Sequence, residues 1–284
     1  MADRHRLSDE EWERLLPILK NTPGIYLVFP ARCRQFVEAV LWILRTGSPW
    51  RQLSASGLKW NSVFRRFSRW SKHGVWQALL HTLAQEADLQ NICIDSSVIR
   101  AHACAAGARA SCEDDEALGR SRGGFGTKVH MAVDGLGLPL RFILSGGQCA
   151  DIRYAQPLVE NIQTPMVLAD KGYDADAFLT WLANNDIRAV IPPKINRKEP
   201  RDCDFVLYKE RHVVECTFGK LKHYRRIATR YEKTACHYME MLSLAADCCG
   251  FGNKAAKRQQ NLVLLCQASC IPADKDAIHV GRRM

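Results

Sequence analysis

The segment around residue 215 places four kinds of functional side chain on one side of a predicted helix. It reads YKERHVVECTFGKLK, and at 100° per residue its phenol, guanidinium, carboxylate and one ammonium share an arc of about 60°. These groups belong to Tyr208, Arg211, Glu215 and Lys222. A carboxylate held among cations suits a site that binds a metal ion and the phosphate on which the ion acts. The alternative is a solvated helix face on which Arg211 pairs with Glu215.

Two aspartates upstream each end a short apolar run. Asp95 ends the run NICID, and Asp170 ends the run MVLAD. Runs of this length, bounded by polar or turn residues, predict buried strands. An aspartate at a strand end is commonly a turn or cap residue, but two such strands followed by a cation-flanked glutamate are a rarer pattern. Asp170 lies 75 residues after Asp95, and Glu215 lies 45 residues after Asp170, so these acids can meet only through folding.

The chain resembles the DDE transposases of bacterial insertion sequences, specifically the insertion-sequence-five group and its insertion-sequence-four relatives. Two matching motifs are IDSSV at 94–98 and ADKGYD at 169–174. Gaps of two, three and six residues within the helical set reproduce the group's Y-R-E-K signature. The resemblance runs from about residue 7 to about residue 245 and includes LGRSRGG at 118–124 and RRIATRY at 225–231.

The resemblance implies a polynucleotidyl transferase and endonuclease that works by two-metal phosphoryl transfer. It implies that Asp95, Asp170 and Glu215 are the catalytic residues and bind two Mg²⁺ ions, for which Mn²⁺ can substitute. The partner would be double-stranded DNA, both transposon ends and target, with a homo-oligomer assembled on it. The side chains expected to bind DNA near the acids are those of Tyr208, Arg211, Lys222, Arg225 and Arg226.

The charge balance agrees with a polyanionic partner. The 284 residues include 40 Lys and Arg against 30 Asp and Glu, a net charge of +10. The N-terminus lacks an apolar signal core, and no run approaches the roughly 18 apolar residues of a membrane span. We therefore expect no membrane partner. The twelve cysteines are scattered, so we interpret them as reduced residues of a cytosolic protein, and the resemblance implies that it is bacterial.

The N-terminal region is predicted to be helical. Ser8 and Glu11 form a capping-box pattern at the start of the first helix. A later helix from about Trp60 to Trp70 has an aromatic buried stripe, and it leaves three arginines toward water, namely Arg65, Arg66 and Arg69. This pattern suits a helix-turn-helix that enters a DNA groove; the alternative is a basic surface helix in an all-α bundle. The resembling family has an all-helical DNA-binding region here, which favours DNA contact.

From residue 90 the pattern changes to strands and helices of an α/β protein. We predict strands at 91–96, 127–133, 138–144, 166–170 and 187–191, and helices at 151–161, 174–185 and from 208. This order fits a ribonuclease H-like mixed-sheet catalytic domain preceded by an all-α helix-turn-helix-type domain. The predicted divisions are a DNA-binding domain at 1–88, a catalytic domain at 89–250 and an irregular tail at 251–284.

Other polar residues receive structural interpretations. Asp134 is predicted to form the turn of a hairpin, Asp151 to cap a helix, and His130 to be a structural histidine. The glycine-rich stretch Gly119–Gly126 is interpreted as a flexible loop, with approach to a phosphate as the alternative.

Two other functions stay open from the sequence. A ribonuclease H-like nuclease or resolvase would share the carboxylates but would not need the N-terminal helical domain. A decayed, non-catalytic DNA-binding relative would explain the charge but not the ordered acids.

Overall fold

A mixed seven-stranded sheet carries Asp95 within one strand and Asp170 two residues after another. The computed structural model describes residues 6–23, 25, 27–53, 57–85, 87–106, 116–197 and 201–248. The strands are β1 (Ile92–Ala101), β2 (Gly119–Ser121), β3 (Gly124–Asp134), β4 (Pro139–Gly146), β5 (Met166–Leu168), β6 (Arg188–Val190) and β7 (Thr229–Arg230). Their order is β2-β3-β1-β5-β6, with β4 paired to β3 and β7 paired to β1.

The pairing of β1 with β5 brings the two aspartates to the same level. The strands run parallel, with Ile92 opposite Val167 and Cys93 opposite Leu168. The same offset, carried two residues further, sets Asp95 beside Asp170. On its other side β1 pairs antiparallel with β3 from Ile92 to Arg100. β1 therefore continues to Ala101, five residues past its predicted end at residue 96, because residues 97–100 still pair with β3.

The hairpin between β3 and β4 turns at Asp134, as predicted. Its Oδ1 accepts hydrogen bonds from the backbone N–H groups of Leu136 and Leu138, and its Oδ2 accepts one from Asp88 N–H. The buried carboxylate thus fixes the turn and joins it to the chain that leads into β1.

The helices enclose this sheet and form the N-terminal region. They are α1 (Asp9–Asn21), α2 (Pro30–Thr46), α3 (Trp60–Lys72), α4 (Val75–Ala84), α5 (Ala155–Val159), α6 (Asp176–Asn184), α7 (Phe205–Tyr208), α8 (His212–Lys222), α9 (Arg225–Ala228) and α10 (235–248). The capping box of α1 is present, because Ser8 and Glu11 each accept the other's backbone N–H. Helix α4 was not among the predicted elements.

The two faces of β1 have different neighbours. Ile92 and Ile94 point into an apolar cluster that includes Tyr173 and Leu182. The alternate residues Cys93 and Asp95 contact the segment that leads into α8. The predicted ribonuclease H-like mixed sheet, preceded by helices, is confirmed. One face packs against this cluster, and the other carries Asp95 and Ser97 among buried apolar residues such as Met131 and Val129.

The N-terminal helices contact the second half of the chain. Glu240 on α10 accepts the backbone N–H of Trp76 on α4, and Arg226 donates to the Ser48 carbonyl. The described residues 6–248 belong to one compact unit. The division into domains 1–88 and 89–250 stays a prediction, and the tail 251–284 lies outside the described residues. In the described part of the chain, no helix is both long and apolar enough to cross a membrane.

Candidate active site

The helical segment that carries the Y-R-E-K residues lies along β1. The segment was predicted as one helix from residue 208, but it is α7, a 3₁₀ turn over Lys209–Arg211, and α8 in succession. Arg211 contacts Asp95, and Lys222 Nζ donates to Ser97 Oγ at 2.8 Å. Asp95 and Ser97 are two residues apart on a strand, so both contacts lie on the same sheet face.

Arg211 lies between two of the predicted catalytic acids. Its Nη1 is 3.0 Å from Asp95 Oδ2, and its Nη2 pairs with Glu215 Oε1. The other oxygen of Asp95 accepts the backbone N–H of Ser96 at 2.8 Å. Both oxygens of Asp95 are therefore held by hydrogen bonds, and one guanidinium pairs with two carboxylates.

Asp95 and Asp170 interact electrostatically. Burial raises the pKa of Asp95 above its ordinary value, and the negative charge of Asp170 raises it further. The Ser96 N–H and Arg211 oppose this rise in the pKa of Asp95. Asp170 also accepts the backbone N–H of Gly172 at 2.8 Å, so it caps the 3₁₀ turn that follows. Asp170, two residues after β5, thus caps a turn and also belongs to the acid pair.

The three acids supply the hard oxygen donors that Mg²⁺ prefers. Among the described residues, however, no three Asp, Glu, His or Cys side chains lie close enough together to hold a metal ion. The predicted convergence is therefore partial. Asp95 lies beside Asp170, whereas Glu215 is joined to Asp95 through Arg211. The oxygen donors suit a divalent cation. In this structure, however, the Arg211 guanidinium lies between Asp95 and Glu215, which a preformed metal site would bring together.

A fourth acid lies beside the site and was not predicted to belong to it. Asp151 Oδ1 accepts from Ser96 Oγ at 2.6 Å and pairs with Lys128 Nζ at 2.9 Å. Asp151 was predicted to cap a helix, which is wrong. It is the first residue of the 3₁₀ turn Asp151–Tyr154, and the residue before it, Ala150, caps the turn without a side-chain bond. The signal for these contacts is the pairing of β1 with β3, which brings Ser96 and Lys128 onto one face.

His130 lies next to Asp151. Its Nε2 is 2.8 Å from Ser145 Oγ, its Nδ1 is 3.8 Å from Asp151 Oδ1, and its ring stacks on Tyr154. Burial lowers the pKa of His130 to about 4, so the imidazole is neutral near pH 7. These contacts agree with the predicted structural role.

The other cations predicted to bind DNA near the acids differ in exposure. Arg211 lies 5.8 Å from the centre of the Tyr208 ring, and Arg225 is exposed. Arg226 is buried, pairs with Glu232 at 2.5 Å and donates to the Ser48 carbonyl. This placement removes Arg226 from the proposed DNA contacts.

The three arginines of α3 also separate into two groups. Arg65 and Arg69 are exposed, as predicted from the helical period. The Arg66 guanidinium instead lies 4.4 Å from the centre of the Phe36 ring and 4.9 Å from that of Trp70. Arg66 therefore stabilises the packing of α3 on α2 through cation–π contacts, and it too is removed from the proposed DNA contacts.

A ribonuclease H-like sheet with acids on β1, after β5 and on a later helix defines the class of DDE polynucleotidyl transferases. The family described as "Transposase DDE domain" matches residues 86–246, and the putative transposases of the IS4/5 family match residues 7–80. The chain belongs to the DDE-domain transposases. The predicted transposase function is thereby confirmed at the level of the family, and a DDE domain implies the use of divalent metal ions.

Two relatives from insertion sequences are similar to parts of the chain. A putative transposase for insertion sequence element IS6501 of Brucella ovis is 43% identical over 122 residues, 42% of this chain and 93% of the relative. A putative transposase for insertion sequence element IS402 of Burkholderia cepacia is 33% identical over 136 residues, 44% of this chain and 61% of the relative.

Solved structures resemble the chain more remotely. The piggyBac transposase synaptic complex with hairpin DNA has a TM-score of 0.49 and 12% identity, covering 89% of this chain and 75% of that chain. A pre-cleavage Mos1 transpososome has a TM-score of 0.25 and 12% identity, covering 76% and 78%. At these scores neither resemblance supports an argument about function.

Proposed function

We propose that this transposase binds the terminal repeats of an insertion sequence and cleaves and transfers DNA strands at those ends, with Asp95, Asp170 and Glu215 as its catalytic acids. The observation that carries the proposal is the link from Asp170 through Asp95 and Arg211 to Glu215, in a chain of the DDE family. A nuclease or resolvase would not explain why residues 7–80 match the putative transposases of the IS4/5 family.

The three acids would hold Mg²⁺, with Mn²⁺ as a substitute, and Asp95 would contribute to both ion positions. When bound, the ions would activate the attacking oxygen and neutralise charge at the scissile phosphate. Glu215 reaches such a position only after it exchanges its contact with Arg211. The protein's own contribution is to hold Asp95 by the Ser96 N–H and to keep Asp170 level with it.

Arg211 would then bind the phosphate of the DNA strand. A guanidinium accommodates a carboxylate and a phosphate in similar geometry, so a DNA phosphate can replace Asp95 and Glu215 as its partner. Lys222 and Arg225 would hold neighbouring phosphates, and Tyr208 would stack on a base or hydrogen-bond a phosphate.

The exposed arginines of α3, Arg65 and Arg69, would contact the terminal repeats as part of the helical DNA-binding domain. Because an insertion sequence has two ends, we propose that the chain acts as a homo-oligomer assembled on double-stranded DNA in the bacterial cytoplasm.

Strand cleavage on the DNA that flanks the gene tests this proposal. The full chain is incubated with a duplex that spans each boundary of the element, with MgCl₂, MnCl₂ or EDTA, and the products are separated on a denaturing gel. We expect breaks at the boundary with either metal and none with EDTA. Sequence-independent degradation would favour the nuclease, and binding without cleavage would favour the decayed relative.

A further inference from the structure

The glycine-rich stretch predicted to be a flexible loop is an ordered hairpin. Strands β2 and β3 pair with Arg120 opposite Phe125 and Ser121 opposite Gly124. Ser121 Oγ accepts the backbone N–H of Gly123 and donates to the Gly124 carbonyl. Gly124 has a φ of 103°, a conformation that suits glycine alone. The turn therefore places Arg122 at the tip of a defined backbone.

Close packing fixes this hairpin to the central sheet. A Cβ at Gly126 would lie 2.5 Å from the Ile99 carbonyl oxygen, so only glycine allows β3 to approach β1 this closely. The side chain of Gln148 likewise fills the space beside Gly119. The arginines of the hairpin are therefore carried on a backbone that is held at both strands.

Arg120 and Arg122 are exposed, and the side chain of neither makes an ion pair or hydrogen bond with any residue that the structure describes. Many other arginines of the catalytic half have partners, among them Arg141, Arg188, Arg197, Arg211, Arg226 and Arg230. Arg120 and Arg122 therefore form a positively charged surface that is not neutralised by any described residue and that favours binding of an anion.

The Arg120 side chain lies on the same sheet face as Asp95, displaced along the strand direction and two strands away across the sheet. Asp95 is opposite Met131, and Arg120 is opposite Phe125, six residues earlier on β3. An even separation on a strand leaves both side chains on one face, and six residues span about 20 Å. The contact of Lys222 with Ser97 lies on that face, between the acids and the hairpin. Successive phosphates of one strand are about 3.4 Å apart along a DNA duplex, so 20 Å corresponds to about six nucleotides.

We propose that the hairpin Gly119–Gly124 is a further DNA contact, in which Arg120 and Arg122 bind backbone phosphates about six base pairs from the phosphate held at the acids. The proposal rests on the proposed function. A contact of this kind adds affinity without reading sequence, because phosphates are the same at every base pair. It would keep the duplex aligned with β1 on one side of the cleavage position.

A charge-removing and a charge-preserving variant of the full chain test the proposal. Affinity for an element-end duplex is measured for the wild type, R120Q/R122Q and R120K/R122K at several salt concentrations. Two lost phosphate contacts should weaken binding about 10- to 30-fold near 0.15 M salt and reduce the salt slope by about two. The lysine variant should stay within about three-fold of the wild type, because a lysine can also bind phosphate.

Duplex length then locates the contact. On duplexes trimmed on either side to about three base pairs from the cleavage position, R120Q/R122Q and the wild type should bind equally. On duplexes of ten or more base pairs on both sides the glutamine variant should bind more weakly. A loss of equal size on short and long duplexes would refute the position, and an equal loss in the lysine variant would refute the electrostatic role.

The proposal and the proposed function fail in different ways. If the wild type binds and cleaves element ends while R120Q/R122Q matches its affinity and salt slope, the hairpin contact is refuted and the transposase function stands. If the wild type neither binds nor cleaves these duplexes, the proposed function itself is refuted.

Discussion

Arg211 lies 3.0 Å from Asp95 while it also pairs with Glu215, so one guanidinium holds two of the three predicted catalytic acids. Its side chain is only 15% exposed, so the pair with Asp95 is poorly screened by water. Arg211 therefore supplies the positive charge that stabilises these acids next to Asp170. A divalent cation that binds the same oxygens must compete with it.

Replacing Arg211 should expose this competition. Without DNA, we expect Arg211→Gln to bind Mn²⁺ about three- to ten-fold more tightly than the wild type, because the guanidinium no longer occupies Asp95 and Glu215. Titration calorimetry or the Mn²⁺ paramagnetic signal gives the affinity. Arg225→Gln is the matched control, since Arg225 is exposed and makes no described ion pair. An unchanged or weaker Mn²⁺ affinity in Arg211→Gln would contradict the competition.

The two exposed basic surfaces should serve different parts of DNA binding. Arg65→Ala with Arg69→Ala should reduce the preference for terminal repeats over random DNA, because one bidentate base contact contributes about 1–3 kcal/mol. Lys222→Gln with Arg225→Gln should weaken binding to all sequences and lower the salt slope by about two. Affinities for specific and random duplexes at two salt concentrations separate these outcomes. An equal loss of both affinities in the first variant would leave α3 only an electrostatic role.

Asp151 should support catalysis through Ser96 without taking part in DNA binding. Asp151→Asn removes the charge paired with Lys128 while an amide oxygen still accepts from Ser96. Such supporting contacts around a metal site change activity or metal affinity by about 10- to 100-fold. We expect slower cleavage and a higher Mn²⁺ requirement at unchanged DNA affinity and thermal stability. Asp186→Asn, at an exposed loop position, is the control; a variant that loses only stability would make Asp151 purely structural.

Glu240 should make stability depend on pH. Burial raises the pKa of Glu240 to about 8, while its carboxyl in the unfolded chain titrates near the ordinary value. Between about pH 4.5 and pH 8 the native state therefore retains a proton that the unfolded state loses, so this group lowers stability as the pH rises. Glutamine does not titrate and still accepts the Trp76 N–H.

Glu240→Gln should thus gain stability relative to the wild type as the pH rises, by on the order of 2–4 kcal/mol between pH 5 and pH 8. Urea unfolding at both pH values measures the difference. The exposed Glu160→Gln should show no such trend. A constant difference between Glu240→Gln and the wild type across this range would mean that Glu240 is ionised in the native state.

The sequence predicted the parts of the site that local patterns determine. Apolar runs placed Asp95 on a strand and Asp170 just after one, although β1 continues past Asp95 to Ala101, and helical spacing placed Arg211 beside Glu215. It missed what depends on pairing between distant segments. The contact of Asp151 with Ser96 requires the register of β3 against β1, which no single segment encodes.

Helical period also did not distinguish exposed arginines from packed ones. Arg66 was predicted to face water and Arg226 to bind DNA, but each has an aromatic ring near its guanidinium. The long apolar stem of arginine allows it to pack at a buried boundary while its charge finds a ring or a carboxylate. Such a choice depends on Phe36 and Trp50, which lie far away in the sequence.

The most direct test of the central claim is the rate of strand cleavage at element ends by variants of the three acids. Asp95→Asn, Asp170→Asn and Glu215→Gln should each lower the rate by about 10³-fold or more, and Asp95→Asn with Asp170→Asn should be no worse than either alone, because the acids act as one unit. Binding to the ends should stay within about three-fold of the wild type. Cleavage near the wild-type rate by any single variant, or losses that multiply in the double variant, would contradict a shared catalytic centre.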